Sequence, residues 1–255
     1  MVAHKVGTWK EGYNSISEQH GIHSEMLMDF GVLILHKGSS FTCSLPMERA
    51  FLLIDGEVEF QWESHTAVAT RFDVLTENPY VLHVPEGVSV TLIAMSDCEL
   101  CIQRKENNVT FPSHLFVPQE IKSERTGEDL LDGASARTVR TVFDGESHPH
   151  SQMVLGETIN TPGRWTSFPP HDHPHPEMYH YRFFPKDGFG ISLIEESPYL
   201  IKDGDTSLIP PHNTHIQVSA PSYTMYYIWA IAHLEDDRWL PTTRFVRKEY
   251  LWMVE

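Results

Sequence analysis

The stretch FPPHDHPHPEMYHYRF, at residues 168–183, holds the side chains of this sequence with the clearest capacity for chemistry. Its His171 and His173 alternate, and Glu177 follows them after two more prolines. Alternate residues of an extended strand lie on one face, so the two imidazoles are expected to point the same way. Imidazole and carboxylate groups together suit zinc, manganese, iron or nickel, so the stretch predicts part of a metal site.

A second stretch, GDTSLIPPHNTH at residues 204–215, adds His212 and His215. His215 would complete a set of three histidines and one glutamate, which leaves coordination positions open for water and substrate. A solvated loop that happens to be rich in histidine is the alternative interpretation of the first stretch alone. The second stretch argues against it. We therefore predict one divalent ion per chain, with the ligands His171, His173, Glu177 and His215.

Short apolar runs dominate the chain and predict strands, so strands are expected to position these ligands. Between residues 27 and 105, runs such as FGVLILHKG and YVLHVPEGVSVTLIA are bounded by Gly, Pro, Asp or Asn, and similar runs return from 151 to 235. This spacing is typical of antiparallel sandwiches and barrels. LLIDGEVEFQW predicts a hairpin that turns at Asp55-Gly56, since this pair tolerates positive φ angles. Residues 106–150 are more polar and predict a linker followed by a strand, ARTVRTVF.

The two halves share the spacing of their prolines, turns and strands, although few residues are identical. HVPEGVSVTLIA in the first half and IPPHNTHIQVSA in the second each place a proline before a short turn and then re-enter a strand. We therefore predict an all-β fold of two tandem β-barrels. The first domain, residues 1–125, includes an N-terminal extension, and the second, residues 126–255, holds the metal. Val90 stands where the first barrel would need its ligand histidine, so that barrel is expected to be degenerate and structural.

The charge balance restricts the partners. Lysine and arginine total 19 against 35 aspartates and glutamates, which gives a net charge of −16. Such an acidic surface repels phosphate backbones and anionic lipid, so neither nucleic acid nor a membrane is expected as a partner. A small anionic substrate would need a local cationic pocket. The N-terminus has no apolar signal core, and no run approaches the roughly 20 apolar residues of a membrane span, which predicts a cytoplasmic protein.

Two of the cysteines, Cys98 and Cys101, form a C-x-x-C pattern in SDCELCIQRK. A redox or zinc-binding pair is one interpretation, and two positions of an ordinary strand are the other. The strand is favoured, because no second pair exists to complete a zinc site.

The two histidine stretches resemble the pair of motifs that defines the cupins. The spacing H-x-H-x₃-E of the first motif is intact, and Gly204, Pro210 and His215 keep the spacing of the second. Phe184 stands in place of the first motif's closing glycine, and His212 in place of a glycine of the second. Neither substitution removes a predicted metal ligand. The substitution at residue 212 puts the geometry of the turn there in question, because glycine is usual at that position.

A closer resemblance covers about residues 25–240. GRWTSFPPHDH, EMYHYRFFPKDGFG, DGDTSLIPPHNTH and SAPSYTMYYIWAIA are similar, in order and spacing, to the 5-deoxy-glucuronate isomerase family of inositol catabolism. That family is related to 4-deoxy-L-threo-5-hexosulose-uronate ketol-isomerase. The resemblance implies a metal-dependent bicupin that converts 5-deoxy-D-glucuronate to 5-dehydro-2-deoxy-D-gluconate. It also implies a small anionic sugar as substrate, a homo-oligomer, and zinc as the first choice of metal, with manganese or iron as alternatives.

Aldose–ketose isomerisation needs a polarised carbonyl, a group that moves a proton between two carbons, and an anchor for the distal carboxylate. The metal would meet the first need. The candidates for moving the proton are a metal-bound hydroxide, Glu177, Glu157, and two tyrosines on the face of Glu177, Tyr179 and Tyr181.

An arginine fork is the natural anchor for a carboxylate. Arg182 lies in the first motif, although strand parity points it away from Glu177. Arg140 and Arg238 are open alternatives. His212 is a spare ligand or a substrate contact, and Tyr227 is a substrate contact or a core residue.

Two other functions remain open at this stage. Three histidines and a glutamate also hold the metal of cupin dioxygenases and oxalate-degrading enzymes, and a two-barrel protein can bind or store sugar without catalysis. Oxygen consumption distinguishes the redox enzyme from the isomerase, and stoichiometric metal distinguishes both enzymes from a storage protein.

Overall fold

The computed structural model describes residues 1–3 and 8–254, and this part of the chain is almost entirely β. The strands are β1 (Val2–Ala3), β2 (Gly12–Ser17), β3 (Asp29–Leu35), β4 (Ser40–Cys43), β5 (Glu48–Trp62), β6 (His65–Arg71), β7 (Val81–Val84), β8 (Val90–Ala94), β9 (Cys98–Lys105), β10 (His114–Phe116), β11 (Lys122–Thr126), β12 (Arg137–Phe143), β13 (Met153–Asn160), β14 (Trp165–Asp172), β15 (Glu177–Phe184), β16 (Phe189–Ile194), β17 (Ser197–Lys202), β18 (Thr206–Ile209), β19 (His215–Ser219), β20 (Thr224–Ala232) and β21 (Phe245–Val246). The described helices are short 3-10 turns at Ser24–Met26, Pro118–Glu120 and Lys248–Met253. None of these described helices has the length and apolar character needed to cross a membrane. The all-β prediction is confirmed.

The N-terminal compact unit contains β2–β10 together with residues 148–152. Its main path runs β10-β7-β5-β9-β3-β2, while β6 and β8 pair with the far part of β5, and β4 pairs with β8. Phe51, Phe60 and Leu92 lie in the core of this unit with no exposed surface. Val90 is buried among them. The position where a ligand histidine would stand is therefore a packing position.

The predicted hairpin at Asp55-Gly56 is wrong. β5 continues without a turn from Glu48 to Trp62, and the reversal comes after Trp62, which pairs with His65. The register against β9 shifts between Leu53 and Asp55, so the Asp-Gly pair lies at an irregularity of one long strand. Gly56 has φ +103°, and a Cβ there would collide with the backbone oxygen of Asp97. The glycine is required by a bulge and a close backbone approach, which give the same local sequence signal as a turn.

The C-terminal compact unit combines β1, Lys122–Ser147 and the chain from Met153 onward. One sheet has the order β1-β18-β15-β20-β13-β12-β11, and the other β17-β16-β19-β14-β21. Tyr181 and Phe183 of the first sheet share a buried core with Ile194 and Ile201 of the second. The core therefore lies between the two sheets of this unit, as a barrel-like fold requires.

One face of the larger sheet carries a continuous stripe across four strands. The register places Tyr179 of β15 beside Trp229 of β20, Tyr227 of β20 beside Thr158 of β13, and Thr158 beside Val139 of β12. Paired residues of adjacent strands lie on the same face of a sheet, so these side chains all point into the unit. The adjacent positions in each strand point to the opposite face.

The boundary between the units falls between Ile121 and Lys122. Two short segments are exceptions, because each belongs to the unit formed mainly by the other half of the chain. β1 pairs with β18, and residues 148–152 join the N-terminal unit. The start of the expected linker includes β11, which pairs with β12. Cys98 and Cys101 are buried free thiols within β9, which confirms the strand interpretation of the C-x-x-C pattern.

Candidate active site

Three histidines converge within the C-terminal unit. The ligand nitrogens of His171, His173 and His215 all lie within 4.8 Å of one another, and all three residues are buried. β14 and β19 bring them together, because His171 near the end of β14 is paired with His215 at the start of β19. His173 follows β14 directly and points to the same side. The structure thus brings together the three histidines of the predicted ligand set.

Backbone carbonyls fix the orientation of each ring. Nδ1 of His171 lies 2.8 Å from the oxygen of Pro169, Nδ1 of His173 lies 2.9 Å from that of His175, and Nδ1 of His215 lies 3.0 Å from that of Asn213. A carbonyl oxygen only accepts, so each Nδ1 carries the proton and donates. When Nε2 carries no proton, a ring held in this way presents the Nε2 lone pair, which is the arrangement found in metal-binding histidines.

Glu177, at the start of β15, completes the cluster. Its Oε2 lies 3.1 Å from Nε2 of His173 and 3.2 Å from Nε2 of His215. Burial alone would raise the pKa of this carboxyl, but the interactions with the two imidazoles outweigh burial and hold the pKa well below its usual range. Burial, with help from the neighbouring His215 and Arg244, lowers the pKa of His171 well below its ordinary value. A carboxylate and three inward lone pairs fit a divalent cation.

The turn before His215 has the geometry that a glycine would normally supply. His212 has φ +62°, in the left-handed region, and its backbone N–H donates to the oxygen of His173 at 2.8 Å. The substitution of histidine for glycine therefore leaves the turn intact. The His212 side chain is exposed and does not line the cavity beside the cluster. The structure does not bring it to the site as a ligand or substrate contact.

A cavity opens beside the cluster. Tyr179 and Tyr227 line it. The Tyr179 hydroxyl lies 2.9 Å from Oγ of Ser167, and the Tyr227 hydroxyl lies 2.6 Å from Oγ1 of Thr166. The full lining is Arg137, Val139, Thr158, Ser167, His171, His173, Glu177, Tyr179, Tyr227, Trp229, Trp239 and Arg244.

Tyr181 does not line this cavity. Its hydroxyl donates to Oε1 of Gln217 and lies 2.8 Å from Oγ of Ser207, and its ring has no exposed surface. Burial raises the pKa of Tyr181 above its ordinary range and does the same for Tyr179. Both phenols therefore stay protonated near neutral pH, but only Tyr179 faces the cavity.

Glu157 lies on the opposite face of the sheet from the cavity. Its Oε2 accepts from Nη1 of Arg140 at 3.3 Å, its Oε1 accepts from the Tyr226 hydroxyl, and its side chain has no exposed surface. The cavity is lined instead by the adjacent Thr158. The position of Glu157 does not support the expected role as a base.

The arginines named from the sequence also lie elsewhere. Arg182 is buried and donates from Nη1 to the oxygen of Tyr181, and neither Arg140 nor Arg238 lines the cavity. Arg137 and Arg244 line it instead. Arg137 is in the predicted strand ARTVRTVF, but only the pairing of that strand decides which of its two arginines faces inward. Nothing local in the sequence marks Arg244.

The fold is of the cupin type. A cupin 2 conserved barrel domain protein from Leptotrichia buccalis is similar in structure, with a TM-score of 0.50 and 15% identity. The similarity covers 88% of this chain and 91% of that chain. An IolB-like protein from Salmonella typhimurium LT2 has a TM-score of 0.88 and 20% identity, covering 100% of this chain and 99% of that chain. These similarities show the fold.

The chain belongs to the KduI/IolB family, whose family model matches residues 3–253. A relative from Geobacillus thermodenitrificans, named 5-deoxy-glucuronate isomerase, is 25% identical over 251 residues, which are 86% of this chain and 88% of the relative. The family resemblance found in the sequence is confirmed. The chain is an enzyme of the isomerase class, an intramolecular oxidoreductase.

Proposed function

We propose that this protein is a metal-dependent aldose–ketose isomerase that converts 5-deoxy-D-glucuronate to 5-dehydro-2-deoxy-D-gluconate. The observation that carries this proposal is the cluster of His171, His173, His215 and Glu177 at the wall of a cavity. Its histidine tautomers and carboxylate suit one divalent ion, with zinc the first choice. The named function of the Geobacillus relative supports the choice of substrate.

The four residues of the cluster would hold the ion, and a divalent ion there would polarise the sugar carbonyl as a Lewis acid. Other side chains of the cavity would orient the sugar and exclude water. The Tyr179 hydroxyl, 2.9 Å from Oγ of Ser167, would donate a hydrogen bond to a sugar oxygen. Trp229 and Trp239 supply apolar walls that exclude water from the reacting carbons.

The reaction moves one carbon-bound proton. Glu177 is the sole carboxylate in the described cavity lining, so we assign to it the removal of the proton from C2. The electrons of the broken C–H bond form the C1–C2 double bond of an enediol, and the carbonyl oxygen gains a proton. Return of a proton to C1 and loss of the proton on the C2 oxygen give the ketose. Tyr179 is assigned the transfer between the two oxygens.

Incubation of the purified enzyme with 5-deoxy-D-glucuronate should yield the ketose under anaerobic conditions. No oxygen or redox cofactor is needed, because substrate and product have the same oxidation level. In D₂O the carbon that receives the proton should carry deuterium, since a carboxylic acid exchanges its proton with solvent. Oxygen uptake coupled to substrate loss would refute the isomerase and favour a cupin dioxygenase or oxalate-type oxidoreductase. Retention of the sugar without conversion would favour a binding protein.

Tyr179→Phe should lower kcat by roughly 100- to 10,000-fold, the usual effect of removing one acid–base group. KM should change little, since the ring stays in place. Steady-state kinetics checks this. Tyr181→Phe is the matched control, because Tyr181 is on the same strand face and equally buried but outside the cavity. Equal losses of kcat in both variants would contradict the assignment of Tyr179.

A further inference from the structure

The cavity carries two positive charges, Arg137 and Arg244. Arg137 begins β12 and is only 9% exposed. Arg244 precedes β21, and its guanidinium carbon lies 5.7 Å from the ring centroid of Trp239, close enough for a cation–π contact. Trp239 also lines the cavity, so this contact holds the charge at the cavity wall.

Neither guanidinium is paired with a carboxylate in the described part of the chain. Arg137 donates from Nη1 to the backbone oxygen of Ser135 at 2.7 Å and to its Oγ at 2.6 Å, and both of these are neutral groups. By contrast, Arg247, three residues beyond Arg244, lies 3.5 Å from the carboxylate of Asp172 and 3.8 Å from that of Glu249. The two cavity arginines therefore retain positive charge for an external partner.

The two charges also act on each other. Burial lowers the pKa of Arg137 first, and the positive charge of Arg244 lowers it further. Both arginines line the same cavity as the histidine cluster. Like charges held together beside a cavity repel one another, and a bound anion removes that repulsion.

We propose that Arg137 and Arg244 form the carboxylate-binding end of the cavity, so that an acidic sugar binds with its carboxylate at the two arginines and its carbonyl at the histidine–glutamate cluster. This assignment rests on the proposed function for the identity of the sugar. The planar guanidinium forks match a carboxylate through paired hydrogen bonds. They also supply the local cationic pocket that a protein of net charge −16 needs to bind an anion.

The sheet keeps the two sites apart. Glu177 is on β15 and Arg137 on β12, with β20 and β13 between them, and the register places Arg137 level with Phe183, six residues beyond Glu177. Both residues line the same cavity, so one elongated ligand would meet the cluster at one end and Arg137 at the other. A neutral sugar would leave the two guanidiniums without an anion, so the pair should set specificity for acids.

The test compares 5-deoxy-D-glucuronate with 5-deoxy-D-glucose, which has a hydroxymethyl group in place of the carboxylate. Arg244→Gln should lower kcat/KM for the acid by roughly 10- to 100-fold, the usual range for a charged hydrogen bond, and leave the neutral sugar unchanged. Arg137→Gln should act in the same direction. Arg244 is exposed, so its variant is expected to fold even if the Arg137 variant does not. Arg247→Gln is the matched control and should keep the wild-type preference.

Calorimetry with non-isomerisable probes separates this proposal from the proposed function. The probes are the acid in which the aldehyde is reduced to an alcohol, and its uncharged hydroxymethyl counterpart. The wild-type protein should bind the acidic probe at least about 10-fold more tightly, and Arg244→Gln should abolish that difference. If neither sugar is isomerised but the acidic probe is still preferred, the proposed reaction fails and the arginine site stands. Equal binding of the two probes by the wild type, or parallel losses for both sugars in the variants, would overturn the arginine site.

Discussion

Replacing His173 with alanine should abolish stoichiometric metal binding and lower kcat/KM by at least about 1,000-fold, because a catalytic site of this kind depends on each protein ligand. The ring of His173 is buried, its Nδ1 is 2.9 Å from the oxygen of His175, and its Nε2 is 3.1 Å from Glu177. Alanine removes the imidazole and leaves Glu177 with one fewer partner. Elemental analysis of the purified protein and isomerase kinetics measure the two effects.

The matched control for this change is His212→Asn. His212 is in the second motif and contributes only its backbone N–H to the oxygen of His173. Asparagine tolerates the left-handed conformation at φ +62°, so the turn should persist. This variant should keep about one metal ion per chain and near wild-type activity. A His173→Ala protein that retains a full equivalent of metal would contradict the four-ligand assignment.

The three clustered histidines could be predicted because their signal is local. In His171 and His173 the period of an extended strand places both imidazoles on one face, and no distant contact is needed to know this. Proline and glycine spacing then located His215 on a neighbouring strand. The turn at His212 is also local, and it tolerates a histidine where glycine is usual because a single left-handed residue costs little when its N–H is bonded.

The cationic end of the cavity could not be predicted, because it depends on long-range pairing. ARTVRTVF contains Arg137 and Arg140 on opposite faces of one strand, and only the pairing of β12 with β13 decides which of them faces inward. The conformation at Gly56 also depends on long-range pairing that the local sequence does not determine. Asp-Gly indicates a turn locally, but the long strand β5 absorbs it as a bulge where the backbone of Asp97 approaches.

The sequence names Glu157 as a candidate base but does not determine which face of its strand points into the cavity. Its neighbour Thr158 faces the cavity. Adjacent residues of a strand face opposite sides of the sheet, so Glu157 points away from the cavity. The structure gives Glu157 a different task. It neutralises Arg140, which is 3% exposed, and accepts the Tyr226 hydroxyl.

Glu157→Gln should therefore lower the free energy of unfolding by about 3–5 kcal/mol, because it removes the carboxylate charge that contacts the buried Arg140 guanidinium. Chemical denaturation of the metal-loaded protein measures this. Activity per folded molecule should remain near the wild-type value, since Glu157 is outside the cavity lining.

The double variant Glu157→Gln/Arg140→Met decides between a structural and a catalytic role. Removing the arginine charge together with its partner should restore much of the lost stability, because replacing a buried ion pair by neutral side chains is far less costly than breaking it. A catalytic base would behave differently. Its loss would lower kcat by orders of magnitude at unchanged stability, and removal of Arg140 would not restore it. That outcome would return Glu157 to the reaction and contradict the face assignment of β13.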